Sequence, residues 1–264
     1  MDAPTLELFF YLISDMKSNS QQKTSLPTVK VAVLIDGGFF VKRFNQIFNQ
    51  SRTMTGAEVA DKLYTIAHSH VGKENILYRI FYYDCHPFNK KMHNPISKKC
   101  IDFKNSQEFK FRTDLIECLK KKRKVALRLS DLKEGEWNIY PNKVKELLAN
   151  KIELKDLTEN DVFLTLKQKG IDMKIGVDIA SIALKRFVDR IVLISGDSDF
   201  VPAAKLARRE GIDFILDSMG ANVESNLFEH IDGLESSVKK KSPKKTTTKK
   251  SSVVRRPAKT TTKK

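Results

Sequence analysis

The chain has 264 residues, 41% of them hydrophobic, which is enough to bury a sizeable core in one large domain or two small ones. Its formal net charge is +16, but residues 239–264 hold 12 of the 48 Lys and Arg residues and no acid. The rest of the chain therefore carries 36 basic against 32 acidic groups, which excludes a strongly basic globular part. The three cysteines, Cys85, Cys100 and Cys118, are an odd number at irregular spacing, which favours a reducing cytoplasm over a disulfide framework.

Residues 1–28 are interpreted as an N-terminal extension and linker. The apolar stretch LELFFYLI (6–13) has no basic flank and no small-residue cleavage site, and it is far shorter than the ~20 residues needed to cross a bilayer. Residues 17–28 are polar, so the extension is either an appended helix or an upstream start, with Met16 as the alternative first residue. A cytoplasmic protein without a membrane partner is expected.

Residues 29–236 alternate β-branched apolar runs with helical patterns, which is typical of one α/β domain with a mostly parallel central sheet flanked by helices. Strands are predicted at 30–35, 75–84, 162–169, 190–195 and 212–217. Helices are predicted at 39–49, 56–71, 106–121, 142–150, 177–188, 199–211 and 223–231.

Two further segments depart from that alternation. Residues 124–141 alternate polar and apolar residues around Gly135, which predicts a hairpin inserted in the fold. Residues 237–264 are rich in Lys and Thr and have almost no apolar residues, which predicts a disordered basic tail. Such a tail is either a solubilising segment or a flexible arm that binds phosphate backbones without reading sequence.

Acidic residues stand at four of the predicted strand-to-helix junctions, at Asp36, at Asp84, at Asp178 and at the pair Asp197 and Asp199. Ligands of open α/β sheets bind outside the carboxyl ends of the strands, where these junctions meet. Helix capping or a turn explains each Asp alone, but several carboxylates in one place repel unless a cation neutralises them. The arrangement predicts a Mg²⁺ or Mn²⁺ site made by Asp36, Asp178, Asp197 and Asp199, with Asp84 as a further candidate ligand.

Bound divalent ions can activate water and orient a phosphate, so the predicted chemistry needs no protein nucleophile. The sequence has no Walker phosphate loop and no GxGxxG, which argues against nucleotide-driven and dinucleotide chemistry. A Toprim-like phosphotransfer domain also uses an acidic strand end, but it would need a Glu after an earlier strand, where this chain has Asp36-Gly-Gly.

Four motifs in this order, VAVLIDGGFFVKRF, YRIFYYD, KIGVDIASIALKRF and IVLISGDSDFVPAAKLARREG, resemble the NYN domain, in particular the LabA-like (DUF88) branch of the PIN-like nuclease superfamily. The resemblance covers about residues 29–232 and implies a Rossmann-like PIN fold and metal-dependent cleavage of RNA. It assigns the catalytic acids to Asp36, Asp178, Asp197 and Asp199. This chain has GGFF after the first Asp, where many relatives carry Asn, and Ile175 separates Lys174 from the Gly of GVD.

Several polar residues are expected to contact the substrate. Lys174, Ser195 and Ser198 stand beside the acids. The loop at 84–104 interleaves cations with aromatic rings, an arrangement that holds single strands, although its Phe side chains could equally pack into the core. The cations of this loop that are candidates for substrate binding are Lys90, Lys91, Lys98 and Lys99.

The sequence therefore supports two functional hypotheses. The first is a metal-dependent ribonuclease that hydrolyses phosphodiester bonds of single-stranded RNA, with DNA left open as a second substrate. The second is a non-catalytic RNA-binding or regulatory protein on the same fold. The oligomeric state stays open, a homodimer included.

Overall fold

A computed structural model describes residues 28–48, 54–168 and 170–238. Except for residue 28, the predicted N-terminal extension lies outside the described residues, and so does the predicted tail beyond residue 238. Among the described residues, no helix has both the length and the apolar character required to span a membrane.

The described chain contains strands and helices in frequent alternation. Its strands are β1 (Lys30–Asp36), β2 (Ile76–Cys85), β3 (Lys91–His93), β4 (Cys100–Asp102), β5 (Val125–Ser130), β6 (Leu132–Ile139), β7 (Val162–Gln168), β8 (Arg190–Ile194), β9 (Asp213–Asp217) and β10 (Gly233–Glu235). Its helices are α1 (Gly37–Phe48), α2 (Gly56–Val71), α3 (Gln107–Lys120), α4 (Pro141–Leu148), α5 (Ile171–Leu184), α6 (Val201–Arg209) and α7 (Ser225–Phe228).

Six strands form the central sheet in the order β10-β9-β8-β1-β2-β5, and every neighbouring pair is parallel. The chain moves outward from β1 to one edge through β2 and β5, and to the other through β8, β9 and β10. The direction of winding thus changes between β1 and β8, and a doubly wound sheet opens a crevice at the carboxyl ends of the two strands on either side of such a point. The predicted α/β class with a mostly parallel sheet flanked by helices is confirmed.

The central strand β1 shows why the sheet is buried on both faces. Val31, Val33 and Ile35 face a core made with helices α1, α2 and α3, whereas Ala32 and Leu34 face a core made with α5 and α6. All five side chains are fully buried. A continuous apolar run of this kind is what a parallel strand covered on both sides requires.

Helix α5 begins earlier than the sequence pattern predicted. Gly170, with φ of 77°, stands directly before it in the left-handed conformation, which favours glycine, and the helix runs from Ile171. The buried residues Ile171, Ile175, Ile179 and Ile182 repeat at helical spacing, so the apolar stripe extends six residues upstream of the predicted start at residue 177. Asp178 consequently lies in the middle of the helix rather than at its beginning.

The pairing predicted within residues 124–141 is wrong. β5 joins the edge of the central sheet beside β2, and β6 pairs with β7 in a separate antiparallel two-stranded sheet. Polar alternation identified the inserted strand β6 but could not identify its partner, since alternation reports the two faces of a strand and not its neighbour. The region predicted as a long loop after β2 also contains a short antiparallel pair, β3 with β4.

Candidate active site

Asp36 is the last residue of β1 and lies at the point where the direction of winding changes. Its Oδ1 accepts a hydrogen bond from the backbone N–H of Phe39 (3.1 Å), so the carboxylate also caps the start of α1. Burial raises the pKa of Asp36 to about 6, against the effect of the N–H groups of Phe39 and Gly38, and repulsion from Asp172 and Asp84 adds to the rise. The folded protein therefore holds negative charge here at a cost, which a bound cation would relieve.

Asp172 is the acid that sequence reasoning missed. It lies in the first turn of α5, and its charge acts on Asp36. The pKa of Asp172 is itself raised, first by partial desolvation and then by repulsion from Asp197 and Asp199. Repulsion thus links Asp172 to Asp36 and links Asp197 and Asp199 to Asp172, and we call these four residues the acidic cluster.

The loop after β8 supplies the other two members of the acidic cluster. Ser195 is fully buried, and its hydroxyl lies 3.4 Å from Oδ2 of Asp36 and 3.4 Å from the backbone nitrogen of Asp197. Asp197 accepts a hydrogen bond from the N–H of Asp199 (2.9 Å) and so caps the short 3₁₀ turn Ser198–Phe200. Capping thus fixes the positions of Asp36 and Asp197, and their charges still face the same crevice.

Glycine allows this loop to lie against α1. A methyl group on Gly196 would come within 2.7 Å of the ring of Phe39, closer than carbon atoms approach in proteins. The absence of a side chain at residue 196 therefore lets the loop lie against α1 without displacing Phe39.

An open cleft of about 380 Å³ lies over the ends of β1 and β8, and we call it the acidic cleft. The exposed Lys42 is the cation among its lining residues. It is lined by Asp36, Gly38, Phe39, Lys42, Ser195, Gly196, Asp197, Ser198 and Glu224.

Asp178, a predicted catalytic acid, has different surroundings from the acidic cluster. Its Oδ2 accepts hydrogen bonds from the hydroxyl of Tyr83 (2.8 Å) and from Nε of Arg128 (3.0 Å). The half-buried carboxylate is thus neutralised by an arginine on β5. These contacts tie α5 to two strands of the sheet.

Asp84, the further metal candidate, is also neutralised. It is 3% exposed, and Nη1 of Arg112 lies 2.9 and 3.1 Å from its two oxygens. The hydroxyl of Tyr82 and the N–H of Cys85 donate to the same carboxylate. Every oxygen of Asp84 is therefore engaged in hydrogen bonds with the protein.

The candidate substrate-binding residues divide into two groups. Ser195 and Ser198 line the acidic cleft, whereas Nζ of Lys174 donates to the carbonyl of Leu129 (2.7 Å). The loop lysines are not among the residues that line the cleft, and they have partners of their own: Lys90 with Glu134, Lys91 with Asp102, Lys98 with the carbonyl of Pro95, and Lys99 with Glu159. Exposed pairs of this kind are weak enough for a polyanion to compete for the lysines.

The acidic cluster fits a hard divalent cation in charge and chemistry, because its donors are carboxylate oxygens. None of its four carboxylates forms an ion pair with a cationic side chain in the described ranges, unlike Asp84 and Asp178. In those same ranges, no three His, Cys, Asp or Glu side chains are placed to surround an ion directly. The cluster therefore suits Mg²⁺ or Mn²⁺ held by one or two carboxylates, with water and a substrate phosphate completing the coordination.

Strand order, parallel crossovers and acid at the carboxyl edge define a Rossmann-like α/β domain, an architecture that fits the PIN-like fold. The family model of the NYN domain matches residues 99–228, which supports placing the chain in the NYN and PIN-like nuclease superfamily. The matched region includes Asp172, Asp178, Asp197 and Asp199, whereas Asp36 and Asp84 precede it.

No curated protein matches the chain. Among solved structures, it is similar to a protein of unknown function from Vibrio parahaemolyticus, with 13% identity and a TM-score of 0.43, over 82% of this chain and 96% of that one.

Proposed function

We propose that the protein is a Mg²⁺- or Mn²⁺-dependent ribonuclease that hydrolyses phosphodiester bonds of single-stranded RNA in the acidic cleft. The observation that carries the proposal is that Asp36 and Asp197 line one open cleft at the point where the sheet changes its direction of winding, where burial and neighbouring acids raise the pKa of Asp36. The motifs around Asp178 and Asp197 further support the LabA-like branch of the superfamily.

Residues of the acidic cluster and of the cleft have defined parts in this proposal. Asp36 and Asp197, which both line the cleft, would hold the cation, and Asp172 adds negative charge beside Asp36. The hydroxyl of Ser195 fixes the carboxylate of Asp36 from one side. Lys42 lines the cleft and can bind a phosphate oxygen of the RNA. The bound ion would supply an activated water and neutralise charge on the phosphate.

The test is RNA cleavage by the full chain with Mg²⁺ or Mn²⁺, compared with the variant Asp197→Asn. Asn also caps turns, so the variant keeps the cap on Asp199 and removes the charge. Cleavage should fall by at least a hundredfold, and RNA binding measured in EDTA should stay equal or become tighter. The matched control is Asp213→Asn, at the amino end of β9 on the opposite edge of the sheet, which should cleave like wild type.

A second candidate function is a non-catalytic RNA-binding protein on the same fold. Two observations favour it: the described residues include no three-ligand group for a metal, and arginines already neutralise Asp84 and Asp178. Under this alternative, wild-type protein binds RNA but leaves it intact with either metal, and Asp197→Asn only strengthens binding because a repulsive charge is gone. Cleavage that requires Asp197 contradicts this alternative.

A further inference from the structure

A second cavity lies close to the acidic cleft, and we call it the aromatic pocket. Its volume is about 340 Å³, within the range of small-molecule sites, and Phe88, Phe103, Phe109, Leu132 and Leu166 form its apolar walls. Phe88 is nearly buried, and its ring meets that of Phe103 edge to face at 5.3 Å. Because the other four side chains are half-buried, they present apolar surface to the pocket.

Two polar side chains that can form hydrogen bonds with a ligand also line the aromatic pocket. Arg112 lines the pocket with its guanidinium held by Asp84 and by Glu108 (2.6 Å). Gln168, the last residue of β7, adds a side-chain amide that can both donate and accept. An apolar pocket with a fixed donor and an amide suits a ring that carries hydrogen-bonding groups on its edge.

The aromatic pocket adjoins the acidic cluster. A methyl group placed on Gly38 would lie 3.5 Å from Oδ1 of Asp36 and 3.7 Å from the amide of Gln168, so both groups flank one point. Asp84 lines the pocket and also contributes to the raised pKa of Asp36. A polymer whose phosphate lies at Asp36 can therefore place an adjoining unit at Gln168.

We propose that the aromatic pocket is a nucleobase subsite, which takes one unstacked base of a single-stranded RNA whose backbone crosses the acidic cleft. Stacking on aromatic side chains is the usual way in which proteins hold such bases. The assignment rests on the proposed function, since it takes RNA as the ligand. It also implies that single strands are preferred to duplexes, because the base must leave its stack to enter.

The test measures binding rather than cleavage, with the full chain in EDTA and a short single-stranded RNA that carries 2-aminopurine at one position. The variants are Phe103→Leu, which removes a wall, and Leu166→Trp, which fills the pocket. The matched control is Phe187→Leu, because Phe187 is 39% exposed and packs on Tyr78 (5.9 Å) next to Lys30, at the amino edge of the sheet.

Both pocket variants should raise the Kd by about five- to tenfold, which corresponds to the loss of one stacked base. They should also abolish the 2-aminopurine fluorescence change, and the control should change neither. Thermal unfolding identifies a variant that is not folded, and Leu166→Trp removes no side chain from the contact between Phe88 and Phe103. Wild-type Kd and fluorescence in folded Phe103→Leu or Leu166→Trp would overturn the subsite.

The outcome separates this inference from the proposed ribonuclease. If binding depends on the aromatic pocket but Mg²⁺ and Mn²⁺ give no cleavage, the subsite is supported and the ribonuclease is refuted. If RNA is cleaved and folded pocket variants bind it like wild type, the subsite is refuted alone. Duplex RNA that binds as tightly as the single strand also refutes the subsite.

Discussion

Replacing Asp36 by Asn should stabilise the folded protein at neutral pH, although the residue lies in the candidate active site. The pKa of Asp36 rises from 3.8 to about 6 in the folded state. A rise of this size corresponds to about 3 kcal/mol of lost stability once the carboxylate is ionised in both states. Asn removes the charge and keeps an oxygen to accept the hydrogen bond from Phe39, so the expected gain is about 1–3 kcal/mol.

The pH dependence fixes the sign of this effect. An acid whose folded pKa is raised binds its proton more tightly in the folded state, so ionisation destabilises the fold. This loss of folding stability is absent below about pH 3.8, grows between pH 3.8 and 6, and is complete above pH 6. Urea unfolding at pH 7.5 and at pH 4, in EDTA, should show a clear gain for Asp36→Asn at the higher pH and little difference at the lower.

At the end of the neighbouring strand β2, Asp84→Asn should have the opposite effect and destabilise the folded protein. Because Asp84 is buried and paired with Arg112, its loss leaves Nη1 of Arg112 without its carboxylate, with only the exposed Glu108 still paired at Nε, and should cost about 3 kcal/mol or more. Mn²⁺ should raise the Tm of wild-type protein and have less effect on Asp36→Asn, since binding to the folded state stabilises it. If Asp36→Asn is no more stable than wild type at pH 7.5, the claim of uncompensated charge in the acidic cluster is refuted.

Two further predictions concern the packing and charge around the same edge. Gly196→Ala should lower RNA cleavage and the Tm together, because its methyl group would displace the ring of Phe39; an unchanged Tm would show that the loop has room. His70 is 8% exposed and bonds Asp217 (2.8 Å) and Glu235 (3.0 Å); burial acts to lower its pKa, but these carboxylates outweigh burial and raise it. The stability that His70 contributes should be fully present below pH 6.5 and should be lost as the pH rises through its raised pKa. In urea unfolding, His70→Gln should therefore destabilise the protein more at pH 6 than at pH 9. An equal loss of stability at both pH values would contradict the charged pair.

Much of the fold followed from local patterns, because a buried parallel strand must be apolar over its whole length and few other structures require this. The runs at 30–35 and 190–195 were predicted almost to the residue. Pairing across the sequence was harder to predict. The partner of β6 is β7, which begins more than 20 residues after β6 ends, and nothing within residues 124–141 specifies that distance.

The candidate site was also predicted only in part, because its residues depend on where helix α5 begins and on contacts between distant residues. Two glycines, Gly170 and Gly176, each precede an Asp by two residues, and only one of the two can open the helix. The spacing of Ile171 and Ile175 with the isoleucines that follow shows that the helix begins after Gly170, which puts Asp172 in its first turn. The ion pairs of Asp84 and Asp178 with arginines on other elements could not be predicted, because they depend on tertiary contacts between distant residues.

The position of β1 has a consequence for biosynthesis. This strand leaves the ribosome first among the six, yet one of its two neighbours, β8, starts about 160 residues later, as the pairing of Val31 with Arg190 shows. A nascent or truncated chain that stops short of β8 therefore presents the bare edge of a strand that is apolar from Val31 to Ile35, which is a template for aggregation. Prematurely terminated products should accumulate as insoluble material, and late chaperone engagement should matter more for this protein than for one whose strands pair in order of synthesis.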